Sequence, residues 1–139
     1  MSRKERLKQH HLVSSASGGP GEALAVSYQT PATSGRNLDN LRYTVDWANG
    51  AAADFDITLQ FAYALSDNEE SIGNKIDNAD NASWVDVDIA TVNPNISGAN
   101  GQHIIDVAEF PNRFVRLNFT RNGGQIDLDV YVEGKSKGA

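Results

Sequence analysis

The sequence predicts an all-β protein: an antiparallel β-sandwich, jelly-roll-like in layout, with an extended basic N-terminal arm. Three observations carry that expectation. From residue 40 onwards apolar residues recur with a period of two, the spacing that puts alternate side chains on one face of a strand. Turns rich in Gly and Asn separate the alternating runs, as antiparallel connections require. No segment after residue 13 shows the 3.6-residue spacing of an amphipathic helix.

The elements follow in chain order. Residues 1–21 form a separate unit: a basic arm followed by Ser14-Ser15-Ala16-Ser17-Gly18-Gly19-Pro20-Gly21, a flexible linker by composition. The arm has room for one short helix through Leu7, although about 12 residues make a marginal helix alone in water. Residues 22–134 are the sandwich, and 135–139 a short basic tail. Within the sandwich, 23–29 and 102–107 alternate weakly, and five runs alternate clearly. Leu41, Tyr43, Val45 and Trp47 share one face of the first, and Phe55, Ile57, Leu59, Phe61, Tyr63 and Leu65 one face of the second. Val85, Val87 and Ile89 mark the third, Val115, Leu117 and Phe119 the fourth, and Ile126, Leu128, Val130 and Val132 the fifth. Ala48-Asn49-Gly50-Ala51 and Arg121-Asn122-Gly123-Gly124 read as tight hairpin turns, because Asn and Gly tolerate positive φ. Residues 66–83 and 93–101 read as exposed loops.

Composition narrows the function. The 139 residues include no cysteine, which excludes a disulfide scaffold, a thiol nucleophile and cysteine-ligated metals. No run approaches the ~18 apolar residues of a membrane-spanning helix. The basic N-terminus has no apolar stretch behind it, so no secretory signal is expected. The net charge of −6 divides unevenly. Residues 1–21 carry +3 through Arg3, Lys4, Arg6 and Lys8 against Glu5, while residues 22–134 carry −11. An acidic body repels phosphate backbones, so it is not expected to bind nucleic acid. The arm suits either nucleic acid or an acidic protein surface, and a sister subunit offers such a surface.

Enzyme readings find little to rest on. The histidines are His10 and His11 in the arm and His103 in a strand, with no nucleophile elbow, phosphate loop or dinucleotide fingerprint. No catalytic residue and no cofactor are expected. Asp67, Glu69, Glu70, Asp77 and Asp80 crowd one loop with oxygen ligands of the kind calcium takes, but the spacing is not that of an EF-hand. The plain reading is a solvated acidic loop, with no metal. The Asp54/Asp56, Asp86/Asp88 and Asp127/Asp129 pairs each project from one strand face, where they repel unless a cation or a basic partner intervenes. Trp84, Phe114 and Tyr131 fall out of phase with the apolar sets of their strands. They are therefore candidates for an interface or for stacking on a sugar.

The strand Arg113-Phe114-Val115-Arg116-Leu117, the Gly-rich turn and strand beyond it, and Trp84-Val85-Asp86 resemble small β-sandwich proteins of tailed-bacteriophage virions. The Arg-Phe-Val-Arg-Leu strand is also similar to one in discoidin-like carbohydrate-binding sandwiches. The first resemblance implies a non-enzymatic structural protein that decorates or cements a phage capsid. It would be made in the host cytoplasm and end on the capsid surface. Its partners would be the major capsid protein or other virion proteins, and copies of itself in a homo-oligomer such as a trimer. The arm would dock on neighbouring subunits through Arg3, Lys4, Arg6 and Lys8 as charges and Leu7, Leu12 and Val13 as apolar anchors. The second resemblance implies a carbohydrate- or receptor-binding module of a phage tail or fibre.

Overall fold

A computed structural model describes residues 6–34, 38–62, 84–87, 94–107 and 114–136. Tyr63, Leu65, the acidic loop with its calcium candidates, Arg3 and Lys4 lie outside these residues. The described chain is all-β, a single antiparallel sheet of eight strands, with no helix among the described residues. Two long strands organise it: β4 (Leu38–Ala62) and β8 (Phe114–Ser136) lie side by side from Leu38 opposite Ser136 to Ala62 opposite Phe114. The other edge of β8 carries β1 (Arg6–Val13), β2 (Tyr28–Gln29) and β3 (Thr33–Ser34). The other edge of β4 carries β5 (Val85–Val87), β6 (Asn95–Ser97) and β7 (Gly101–Val107). One half of the sheet therefore runs β1-β8-β4-β7. In the other half, β2 and β3 flank β8 while β5 and β6 flank β4.

The two expected hairpin turns are bends instead. Residues 48–51 and 121–124 lie within β4 and β8, and three register shifts between Ala48 and Phe55 mark where the paired strands bulge. The residue types are those a turn uses, for the same reason. Asn49 and Ala52 take φ of 54° and 53°, and Gly124 takes 72°. A Cβ on Gly124 would run into the carbonyl oxygens of Ala51 and Ala52. Facing bulges in neighbouring strands turn both the same way, so the chain bends without reversing.

Beyond the bends the alternation holds. Leu41, Tyr43, Val45 and Trp47 on one side of the β4 bend, and Phe55, Ile57, Leu59 and Phe61 on the other, are all buried. Along β8 the buried sets are Val115, Leu117 and Phe119, then Ile126, Leu128, Val130 and Val132. All of these belong to one apolar cluster, so the same faces of both halves share a core. Each fully buried side chain of this size contributes about 1.5–3 kcal/mol relative to exposure. Burial also pushes the Tyr43 phenol well above its ordinary pKa.

Two short strands differ from expectation. Residues 95–97, expected in a loop, pair with Asp54–Asp56 and bury Ile96 completely. In the weak 23–29 run only Tyr28–Gln29 is strand. Ala23 takes a φ of 46°, and Leu24 makes an isolated bridge to Ile126.

The N-terminal segment differs most. In place of a tethered arm or short helix, residues 6–13 form β1 and pair with β8 of the same chain, Arg6 opposite Lys135 and Val13 opposite Val130. Val13 is fully buried in the common core and Leu12 packs against it. Leu12 and Val13 are therefore anchors, but on their own sheet. Arg6, Leu7 and Lys8 lie on its edge strand. The expected boundary between residues 21 and 22 accordingly separates nothing in this sheet. The Gly/Ser linker is a hydrogen-bonded turn: Gly21 N–H donates to Ser14 O (2.9 Å), Gly19 N–H to Ala16 O (2.7 Å) and Leu128 N–H to Gly21 O (2.8 Å). Composition suggests flexibility there, but backbone groups beside a core must find partners, and these do.

Candidate interaction surface

Because side chains alternate, the buried set of the β1-β8-β4-β7 half leaves a second set on the outer face. Paired residues of four strands make one row there: His11 on β1, Tyr131 on β8, Thr44 on β4 and Ile104 on β7. His11 stacks on Tyr131 with ring centroids 4.4 Å apart and an interplanar angle of 14°. Ile104 is 55% exposed at the other end of the row. Acidic rows flank it on both sides. Asp129, Asp46 and Gln102 line up on one side, and Glu133, Arg42 and Asp106 on the other. Arg42 Nε donates to Asp106 Oδ1 at 2.7 Å. The carboxylate, by hydrogen bond and charge, raises the guanidinium pKa further.

Asp46 stands directly opposite Asp129, a like-charge pair that destabilises a sheet unless each carboxylate finds donors. Both do. Gln102 Nε2 donates to Asp46 Oδ1 at 2.7 Å. Asp129 accepts from His11 Nε2 (2.8 Å), Ser15 N (3.0 Å) and Ser15 Oγ (2.7 Å). Burial acts to raise the Asp129 pKa, but the Ser15 and His11 donors outweigh it and hold the carboxyl below its ordinary range. Two residues away, Asn49 Nδ2 and Ala23 N donate to Asp127 (2.7 and 2.8 Å) and lower its pKa too. The Asp127/Asp129 pair thus fastens the N-terminal segment to β8 within one chain.

This clasp has a measurable consequence. Asp129→Asn keeps the shape but weakens charge-assisted bonds to three donors, and should cost about 1–3 kcal/mol of unfolding free energy at neutral pH. Asp56, Asp127 and Asp129 all have lowered pKa values in the folded chain. Their stabilisation is therefore present above the unfolded-state carboxylate range, about pH 4, and is lost as pH falls through the folded values. Urea unfolding between pH 7 and pH 3 should show stability falling on the acid side, with a shallower fall in Asp129→Asn.

The other half of the sheet carries two polar clusters. Arg116 lies over the Trp84 ring, its guanidinium carbon 4.1 Å from the centroid. Arg116 Nε donates to Gln60 Oε1 (2.8 Å), and Gln60 Nε2 to Asp86 Oδ1 (2.8 Å). At the bend, Asn95 Nδ2 donates to Asp54 and Asp56 (3.0 and 2.9 Å), and Asn122 Nδ2 donates to both as well (3.3 and 2.9 Å). Asn122 and then Asn95 lower the Asp56 pKa. Amide donors from Asn95 and Asn122 thus bridge this Asp-x-Asp pair.

The three out-of-phase aromatics do not meet. Trp84 is partly exposed and engaged by Arg116. Tyr131 is covered on one side by His11. Phe114, expected outward, is 2% exposed, opposite the buried Ala62 and apart from the main core cluster. Val85, expected inward, is 61% exposed; among the described residues its strand pairs with β4 over three residues. His103 is half-buried, its ring tilted against Trp47 at 5.2 Å and its Nε2–H donating to Asn95 O at 2.8 Å. His11, Ser15 and Ile104 went unmarked in the sequence. A contact spanning 118 residues leaves no local signal, although the isoleucine pair at 104–105 puts one apolar side chain on each face of its strand.

No protein-family model and no curated protein matches the chain. The geometry offers an acidic face with an apolar row, an edge strand fastened by its own clasp, and aromatics dispersed rather than gathered into a pocket.

Proposed function

We propose that this protein is a non-enzymatic structural component of a bacteriophage virion that decorates or cements the capsid, with the major capsid protein as partner. The observation that carries the reading is the strand order. Counting the bent strands β4 and β8 once in each half, and taking β2 with β3 and β5 with β6 as one interrupted strand each, the order is first-eighth-third-sixth in one half and second-seventh-fourth-fifth in the other. Read that way, the order supports a jelly roll, an architecture used by viral capsid and lectin domains. The resemblance of the Arg113–Leu117 strand and of Trp84–Asp86 to phage virion sandwiches points the same way. Residues 6–13 are engaged in the chain's own sheet, so the contacts to capsid neighbours fall to the outer faces.

Mass spectrometry of density-purified particles from the phage or prophage that encodes the chain tests this. The chain should appear in heads at a fixed ratio to the capsid lattice, one copy per subunit or per symmetry axis. Absence from both full and empty heads would overturn the proposal. Presence only in tails would favour the receptor-binding alternative.

A further inference from the structure

The two edges of the β1-β8-β4-β7 half are protected unequally. On β1 the pairing with β8 shifts register twice, a device that discourages a second strand from joining. β7 has no such shift. It pairs with β4 over seven consecutive residues without a shift, from Val107 opposite Leu41 to Gly101 opposite Trp47. It contains no Pro, Lys or Arg, and its one carboxylate, Asp106, is already paired with Arg42. Among the described residues its other edge pairs with no strand. Ile104, 55% exposed, sits at the midpoint. A straight, lightly charged edge strand with an exposed isoleucine at its centre is suited to pairing with another strand.

We infer that the partner is a second copy of this chain, joined β7 to β7 in antiparallel fashion about a two-fold axis at Ile104. The strand is self-complementary in that register and poorly so in its neighbours. Outward N–H and C=O groups alternate along an edge, so a two-fold pairing has to set some residue against its own copy. With the axis at Ile104, all seven residues pair. Ile104 meets Ile104 of the partner subunit, and each Gln102 amide faces the Asp106 carboxylate of the partner subunit. Moving the axis to Ile105 would set Ile104 against the carboxylate of Asp106. Moving it to His103 would leave Ile104 against a Gln102 amide and Val107 beyond the strand. In the full register the apolar rows join, running from His11 through Ile104 and on to His11 of the partner subunit. This inference is independent of the virion reading, and either can fail alone.

Light scattering and cross-linking test it. The native chain should show twice the chain mass of 15.0 kDa. Ile104→Lys should fall to the single-chain mass with an unchanged circular dichroism spectrum, because an exposed position tolerates the change and a lysine blocks the edge. The chain has no cysteine, so Ile104→Cys introduces the only thiol. A short bis-maleimide should link Ile104→Cys copies in high yield. It should leave Gln102→Cys copies unlinked, since their thiols stand about four residues, or roughly 13 Å, apart along the strands. A native monomer, a dimer that survives Ile104→Lys, or linkage of Gln102→Cys in preference to Ile104→Cys would each overturn the proposal. Pairing with an unlike strand would show as a native monomer.

Discussion

Phe55→Ala should destabilise the protein by about 3–5 kcal/mol, lowering the melting temperature by roughly 10–20 °C. Phe55 is fully buried immediately after the last register shift of the β4 bend, with Ile96 of β6 paired beside it. Truncation removes the transfer free energy of the ring and leaves a cavity that two bent strands, fixed by facing bulges, cannot easily close. Because β4 passes unbroken from one half to the other, the loss should not be local. The buried Trp47 lies on the far side of the bend, and its fluorescence transition should shift with the backbone signal. Phe55→Leu, which keeps most of the volume, should cost less than half as much. Two separated transitions would show that the halves unfold independently.

Gly21→Ala should be nearly as damaging, at about 3 kcal/mol, although it adds only a methyl group. A Cβ on Gly21 would overlap the carbonyl oxygen of Leu128 and crowd that of Ser14 (3.1 Å). Both belong to backbone that cannot swing aside as a side-chain tip does. The turn must lift from β8, and with it go the Leu128 N–H to Gly21 O bond and the Ser15 contacts with Asp129. The expected signature is faster amide exchange in β1 and at Leu128, with Ile57 and Leu117 in the other half less affected. Gly18→Ala is the contrast. Its Cβ would meet nothing within 4 Å, so its cost is only the strain of a φ of 84°.

Much of this fold was legible because a half-buried strand writes its burial into the sequence. The spacing of Leu41 to Trp47, Phe55 to Phe61 and Ile126 to Val132 assigned those side chains to the core, where they lie. The bends were not legible as bends. Asn49-Gly50 and Gly123-Gly124 supply positive φ whether the chain reverses or bulges, and only a neighbouring strand decides which. One trace existed: between Phe119 and Ile126 the buried phase shifts from odd to even positions, as one bulged residue in a continuous strand requires. β1 was illegible for a different reason. Its partner lies at the far end of the chain, and basic residues on an edge strand look like a free arm. The outer-face row was hidden likewise, since Tyr131 and His11 meet only once β1 and β8 pair. Phe114 shows that phase alone does not decide exposure at a strand end.

The placement of β8 also governs the order in which the chain can acquire its structure. It is the inner strand of both halves, pairing with β1, β2 and β3 on one edge and with β4 on the other, yet it is synthesised after all seven other strands. Until its residues leave the ribosome, β1, β2 and β3 have no strand partner among the described residues, and β4 has among them only the strands of its far edge. Closing the His11–Asp129 contact joins residues 118 positions apart, and a native sheet built on such non-local pairings should fold in the slow range of milliseconds to seconds. Chains halted before residue 114 should stay open and dependent on holding chaperones. Chains that extend through residue 136 should fold in one late step.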